Sequence, residues 1–274
     1  MSEILESLSD PALIQAAETN CQTGTDYLGR IFAGMFYREP EATWFVIEST
    51  GFNRVVRTSF TRDTPESDVD RTLKQIAKST GGGPMTWYIG PSLRSASLEA
   101  CLQANGWSKD EDLPSMVLDL HAVKIPAKSP VGLTIKQAED EEIFRQHMDT
   151  MIAGFEFPEP MARYLSGIDF GDRFLHDPDV YYYTGYVQGK PAAISILSLD
   201  AGIAGLYNIA TIPSMRRQGL ATAMTLAALH QARDRGYHIA VLQASEMGIP
   251  VYRRLGFQDH FTFASYNLHG GAEQ

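Results

Sequence analysis

Two short segments, one in each half of the chain, stand in the same setting. Ser97 to Trp107, SLEACLQANGW, follows one strand-like run (Met85 to Gly90) and precedes another (Met116 to Leu120). Gly248 to Phe257, GIPVYRRLGF, follows Ile239 to Ala244 and precedes Phe261 to Leu268 in the same way. Superposing Gly106-Trp107 on Gly256-Phe257 makes the two halves look like diverged copies of one arrangement. Near the middle of the chain lies a seam, Val123 to Gly132, with two prolines, two lysines and no hydrophobic period. A chain of 274 residues fits one large domain or two of ordinary size, and the echo favours two. The expected division is therefore 1–124 and 131–274.

Past the seam the pattern is plain. Leu133 to Gln137 reads as a strand, and Asp140 to Ile152 as a helix with Ile143, His147, Met148 and Met151 on one side. Glu159 to Leu165 opens a second helix. Tyr181 to Val187 and Ala192 to Leu199 form two strands joined at Gln188-Gly189-Lys190, a hairpin signal. Gly205 to Thr211 is a third strand, stopped by Pro213. Gly219 to Arg235 is the longest helix, with Arg233 and Arg235 in its last turn and Gly236 just beyond. Ile239 to Ala244, Ile249 to Leu255 and Phe261 to Leu268 follow as strand, short helix and strand. A hairpin followed by a strand, helix, strand, helix series predicts a mixed sheet of an α/β (α+β) protein.

The first half carries weaker signals. Thr43 to Glu48 and Arg54 to Phe60 read as strands around a turn at Gly51, and Val69 to Lys78 as a helix. Gly81-Gly82-Gly83-Pro84 lacks the Lys and Ser or Thr of a phosphate loop and precedes a strand, so it reads as a turn.

Charge limits the partners. The 23 basic and 33 acidic residues leave a formal net charge of −10, divided evenly between the halves. Broad nucleic-acid or anionic-membrane binding is not expected of such a chain. No apolar run approaches the roughly 18 residues of a membrane span, and Met1 to Asp10 has no basic region resembling a leader. A cytoplasmic protein is expected. Cys21 and Cys101 form no metal-ligand spacing and read as two reduced core thiols, so no metal is implied. His230, His238 and His260 show neither triad nor metal spacing.

The chemistry concentrates in Asn208 to Thr222, NIATIPSMRRQGLAT. A strand enters a proline-marked turn, passes two arginines and reaches a glycine at the mouth of a helix. The first amides of that helix lack intrahelical partners and lie at the positive end of its dipole. Gly219 removes a side chain where a ligand must touch backbone, and Ala221 keeps the next position small. The pattern describes an anion site, most simply for a pyrophosphate, with Arg216 and Arg217 adding charge.

Arg216-Arg217-Gln218-Gly219-Leu220-Ala221 and Tyr252-Arg253-Arg254-Leu255-Gly256-Phe257, in this order of strands and helices, resemble the GNAT superfamily of acyl-CoA-dependent N-acyltransferases. The resemblance covers Leu133 to about Leu268 directly and the first half through the internal echo. It implies two tandem GNAT-like domains, each a mixed, largely antiparallel sheet flanked by helices. It further implies that backbone amides of Arg217, Gln218, Gly219, Leu220, Ala221 and Thr222 hold the pyrophosphate of acetyl-CoA. Ile209, Ala210 and Thr211 would bond the pantetheine arm and the thioester carbonyl, where they could also stabilise an oxyanion. Tyr252 falls where the family places a proton donor for the departing thiolate.

Two departures accompany the resemblance. Ser245 stands where many members have an asparagine, and can still hydrogen-bond the pantetheine arm. The strand Ile239 to Ala244 has no acid, with Ala240 near the place where several members put a general base. Glu246, or a water held by Tyr207 or Asn208, are the substitutes available. By the echo, Leu102 occupies the position of Tyr252, and no RxxGxA motif opens the helix from Val69. The first copy is thus expected to be degenerate, a structural or acceptor-shaping partner. Phe155-Glu156-Phe157-Pro158-Glu159 lies where the family often forms its acceptor pocket, and its two acids either hold a cationic amine or are solvated. The implied activity is direct acetyl transfer to a primary amine of a small molecule or peptide. The alternative is a non-catalytic acyl-CoA-binding sensor or interaction module.

Overall fold

A computed structural model describes residues 3–48, 50–125, 130–172 and 174–270. Positions 126–129 of the seam lie outside them. In chain order the elements are α1 (Leu13–Ile31), β1 (Met35–Arg38), β2 (Ala42–Val46), β3 (Arg54–Thr58), α2 (Glu66–Ser79), β4 (Met85–Ile89), α3 (Ala96–Ala104) and β5 (Trp107–Asp119). There follow β6 (Leu133–Gln137), α4 (Glu141–Gly154), α5 (Glu159–Ser166), β7 (Val180–Val187), β8 (Lys190–Asp200), β9 (Ile203–Thr211), α6 (Leu220–Asp234), β10 (Ile239–Gln243), α7 (Ile249–Leu255) and β11 (Gln258–Leu268). The chain divides into two compact units. The larger holds Met1–Cys21 and Ser115–His260, the smaller Gln22–Pro114 and Phe261–Gln274. These units are not coextensive with residues 1–124 and 131–274.

In the larger unit the strand order is β5-β10-β9-β8-β7-β6. Only the β9–β10 pair is parallel; β5–β10, β8–β9, β7–β8 and β6–β7 are antiparallel. The expected hairpin turns at Gln188 and Gly189, both with positive φ. Asp140 caps α4 by accepting from the Ile143 N–H at 2.8 Å, and Glu141 and Glu142 complement the dipole behind it. The buried stripe of α4 is Phe144, His147, Met148 and Met151, so Phe144 takes the inward place that the sequence pattern assigns to Ile143. Helix α6 buries Leu220, Met224, Ala228, Leu229 and Ala232 in a cluster with Leu197, Leu206, Leu242 and Tyr252.

The smaller unit repeats the plan in reduced form. Its strands run β1-β2-β3-β4-β11, again with one parallel pair, β3–β4. Trp44, Leu73, Ile76, Trp87, Leu102 and Trp107 form its core. Gly81 and Gly82 make a turn before β4, as expected. A glycine of left-handed conformation closes each of α3 and α7: Gly106 (φ 80°), one residue past the Asn105 cap, and Gly256 (φ 105°), the cap itself.

Each half of the chain sends its closing strand into the unit built mainly by the other half. Ser115–Asp119 of β5 pair with β10, and Ala264–Leu268 of β11 pair with β4. Helix α1 begins in the larger unit and ends in the smaller. Neither Cys21 nor Cys101 is in a disulfide, as expected, but both are half-buried and not core residues.

Candidate functional site

The site begins where β9 leaves β10. Their parallel register joins Ala204 to Ala240 and Gly205 to Val241. Beyond it β9 bulges: its pairing with β8 slips between Ile194 and Ile196, and Asn208 adopts φ 49°. A bulge bends its strand and interrupts the ladder locally, so the end of β9, Ile209 to Thr211, continues along β8 alone. The Ile212 N–H returns to the Ala192 carbonyl at 2.9 Å, while the Thr211 carbonyl accepts from Arg216 Nε at 3.2 Å. The Thr211 hydroxyl is buried with no hydrogen-bond partner. Such an atom at the tip of a bent strand suits a ligand that brings its own polar groups.

A single turn of 3₁₀ helix, Pro213–Met215, then carries the chain to Arg216 and α6. Arg217 and Gly219 both have positive φ, 64° and 83°. That conformation is free for glycine and strained for arginine, and Arg217, Gln218 and Gly219, just before α6, are all exposed residues. The first α6 bond runs from the Ala223 N–H to the Gly219 carbonyl, so the amides of Leu220, Ala221 and Thr222 have no partner within the helix. Helix α4 fills the same need with a capping aspartate and two glutamates; α6 has neither a side-chain cap nor an acid in its first turn. Its amino end is an uncancelled positive pole, and the expected anion cradle of Arg217 to Thr222 fits that geometry.

Ser245 and Tyr252 approach from the other strand. The Ser245 carbonyl accepts from the Gly248 and Ile249 amides at 2.8 and 3.1 Å, turning the chain into α7 while its own side chain stays exposed. A Cβ on Gly248 would stand 2.8 Å from the Tyr252 ring, so the glycine makes room for it. The ring is buried, edge-on to Phe257 at 5.8 Å. Burial pushes its phenol up to about 12. Ile209, Leu220 and Tyr252 meet in one apolar cluster. Strand end, helix mouth and phenol, far apart in sequence, thus border one core.

Arg216 does something its motif does not announce. Besides Thr211, its Nη2 donates to the Gly154 carbonyl at 2.9 Å and to Glu156 Oε2 at 2.8 Å. Its charge is committed to the end of α4. Glu159 pairs with Arg163. Both acids of the FEFPE segment thus have a cationic partner while staying largely exposed to solvent. Of the candidate bases, Glu246 is exposed, and the Tyr207 hydroxyl donates to Asn20 Oδ1 at 2.6 Å, with burial raising its pKa well above that of a free phenol. Asn20, on α1, carries no sequence signal at all. In the smaller unit, α2 starts at Pro65 with Glu66 and Asp68 in its first turn, a proline and two acids where an anion cradle would need open amides. Leu102 is fully buried.

Residues 141–257 match the model of the acetyltransferase (GNAT) family. This segment is a GNAT-family domain. No curated protein matches the chain in sequence. Among solved structures, a GCN5-related N-acetyltransferase from Kribbella flavida is similar at 17% identity and a TM-score of 0.64, covering 92% of this chain and 96% of that one. A tandem GNAT protein from the clavulanic acid biosynthesis pathway is similar at 13% identity and 0.60, covering 99% of both chains. A GCN5-related N-acetyltransferase from Sphaerobacter thermophilus gives 16% and 0.58, with 100% and 97% covered. The fold is thus a tandem of GNAT-like arrangements, as the two motifs and the echo imply. Among the described residues, no group of three or more His, Cys, Asp or Glu side chains is disposed to hold a metal ion, and no helix is long and apolar enough to cross a membrane.

Proposed function

We propose that the protein transfers an acetyl group from acetyl-CoA directly to a primary amine of a small molecule or peptide. The observation that carries this reading is the uncapped, acid-free amino end of α6 behind Gly219. In this reading the backbone of Arg217 to Thr222 holds the cofactor pyrophosphate, with Arg217 adding charge nearby and Arg216, expected to do the same, bound instead to the end of α4. The end of β9, Ile209 to Thr211, and Ser245 hold the pantetheine arm, and β9 polarises the thioester carbonyl. The amine attacks that carbon, the C–N bond forms, the C–S bond breaks, and the sulfur leaves with the electron pair. Tyr252, kept protonated by burial, hydrogen-bonds the departing sulfur and supplies its proton. The amine's surplus proton restores the balance through solvent.

The larger unit would carry this chemistry. Residues 1–124 and 131–274 would be diverged copies of one domain, the first having lost the cradle at Pro65 and the phenol at Leu102. Acetyl-CoA and the amine are the only partners the proposal calls for, without metal, nucleic acid or membrane, and the cytoplasm is the compartment that the evenly acidic chain suits.

A second reading has its own support. No acid stands on β10, Ile239–Gln243, and Tyr207 is held by Asn20. A domain with a cofactor cradle and no base would serve as an acyl-CoA sensor or interaction module. Calorimetric titration with acetyl-CoA, beside a Gly219→Glu control, is the first test. Saturable binding to the wild type and none to the control supports a cofactor at Gly219; no binding to either removes both readings. Thiol release from acetyl-CoA on adding amines then favours the enzyme over the sensor.

A further inference from the structure

Two histidines 117 residues apart in the chain meet on the surface of the larger unit. His121 stands on the 3₁₀ turn Leu120–Ala122 that follows β5, and His238 just ahead of β10. The antiparallel pairing of these strands sets Asp119 opposite Ile239, and beside it the Leu120 N–H donates to the His238 carbonyl at 2.8 Å. Asp119 Oδ1 also accepts from the His121 N–H at 2.8 Å, which fixes the turn. Leu120 and Ile239, next to the two histidines, are buried. Both imidazoles therefore stand on anchored backbone. Their ring centroids lie 5.4 Å apart with 30° between planes, and His121 Nε2 is 3.2 Å from His238 Nδ1.

A third group assigns the protons of this pair. His238 Nε2 lies 3.3 Å from Glu6 Oε2. The segment that brings Glu6 there is tied one residue earlier, where the Leu5 N–H donates to the Gly202 carbonyl at 3.0 Å. A carboxylate only accepts, so the neutral His238 ring carries its proton on Nε2 and offers the lone pair of Nδ1 to His121. Glu6 is itself exposed, so it aligns the ring rather than burying a charge. A carboxylate behind a histidine whose other nitrogen is free to ligate is the arrangement that orients imidazoles on metal ions. The spacing agrees. Two nitrogens bound at about 2.0–2.1 Å to one tetrahedral ion stand about 3.3 Å apart. The 3.2 Å observed suits both a hydrogen bond in the free pair and two ligands of one ion.

We propose that His121 and His238 bind one borderline divalent cation, of the zinc, nickel and copper class, where β5 meets β10. The His121 proton passes through solvent from Nε2 to Nδ1, and the two lone pairs then meet the ion. Imidazole selects this class over magnesium and calcium, which prefer oxygen. Water fills the remaining positions, so the ion clamps two strand ends and is not enclosed by three or four side chains. The inference goes beyond the acetyltransferase reading and does not depend on it.

The test is calorimetric titration of the full chain, made without a histidine tag and stripped by a chelator, with zinc chloride and, as a control, magnesium chloride. One zinc per chain and no magnesium are expected. His121→Ala and His238→Ala should each abolish zinc binding, and Glu6→Gln should weaken it about tenfold, the low end for losing a carboxylate behind a ligating histidine. His176→Ala, at the exposed pair with Asp172, should leave it unchanged. Thermal melts in chelator certify that the variants are folded, and zinc should raise the wild-type midpoint but not that of either alanine variant at the pair. Pulsed electron paramagnetic resonance of copper(II) bound to the wild type should show imidazole nitrogen, a readout that needs no variant. Absence of saturable zinc binding, binding that survives either alanine substitution, or oxygen-only coordination of copper overturns the inference. None of these results touches the acetyltransferase reading, which the acetyl-CoA titration tests separately.

Discussion

Gly154 and Ala210 pack so closely that the last turn of α4 rests on the backbone of β9, with room for no Cβ on the glycine. Gly154→Ala is expected to force the helix end away and cost about 1–3 kcal/mol, the usual range for overpacking. It should also lengthen the bond from Arg216 to the Gly154 carbonyl. Urea denaturation of wild type and variant measures this directly. An unchanged midpoint would mean that the contact relaxes freely.

Asn20 is the buried fastener of the β8–β9 hairpin. Its amide nitrogen lies 2.9 Å from the Asp200 carbonyl and 3.3 and 3.4 Å from those of Ser198 and Ile203, and its oxygen accepts from Tyr207. Asn20→Leu strands these groups without water, at about 2–4 kcal/mol in all. Coupling with Tyr207→Phe in a double-mutant cycle should be about 1 kcal/mol or more. Strict additivity would show that the two side chains do not interact.

His147 makes the larger unit sensitive to acid. It is fully buried, its Nδ1 faces the Tyr183 carbonyl at 3.2 Å, and Nε2 has no partner. Burial lowers its pKa from 6.5 to about 4. The unfolded chain therefore binds this proton more readily than the folded one. Stability from the neutral ring is complete above 6.5, falls by about 3 kcal/mol as pH drops toward 4, and falls no further below it. Thermal melts between pH 7.5 and 4 should show a shallower decline in His147→Gln. Parallel profiles for the two proteins would refute the assignment.

Tyr252 should separate binding from turnover. Tyr252→Phe is expected to leave the acetyl-CoA dissociation constant within about twofold and to lower kcat about a hundredfold, the low end for loss of a general acid. With the phenol held near 12, its own deprotonation should not limit activity at any pH below about 11. An alkaline fall near 9 that disappears in the phenylalanine variant would contradict the raised pKa.

Much of this architecture is legible locally. The turn at Gln188-Gly189, the apolar stripe of α6 and the glycines that end α3 and α7 follow from periodicity and from φ values that few residues accept. Helix α1 is not legible, because Thr19, Asn20, Thr23, Gly24 and Thr25 are poor helix formers. Burial of Leu13, Ala16, Ala17 and Asn20 overrides that preference. The first part of β5, Ser108 to Asp112, is charged and exposed, and has no alternation to reveal a strand.

The sequence by itself determined which segments are helices and strands in the second half, where an uncapped helix end stands, and that the fold is a tandem of like arrangements. Tertiary structure alone decided that β5 pairs with β10 and β11 with β4, and that Arg216 turns to Gly154 and Glu156. The reason is physical. Periodicity and backbone conformation are set within a few residues, whereas the partner of a strand edge or a guanidinium is set by which distant groups the finished fold brings within hydrogen-bond reach.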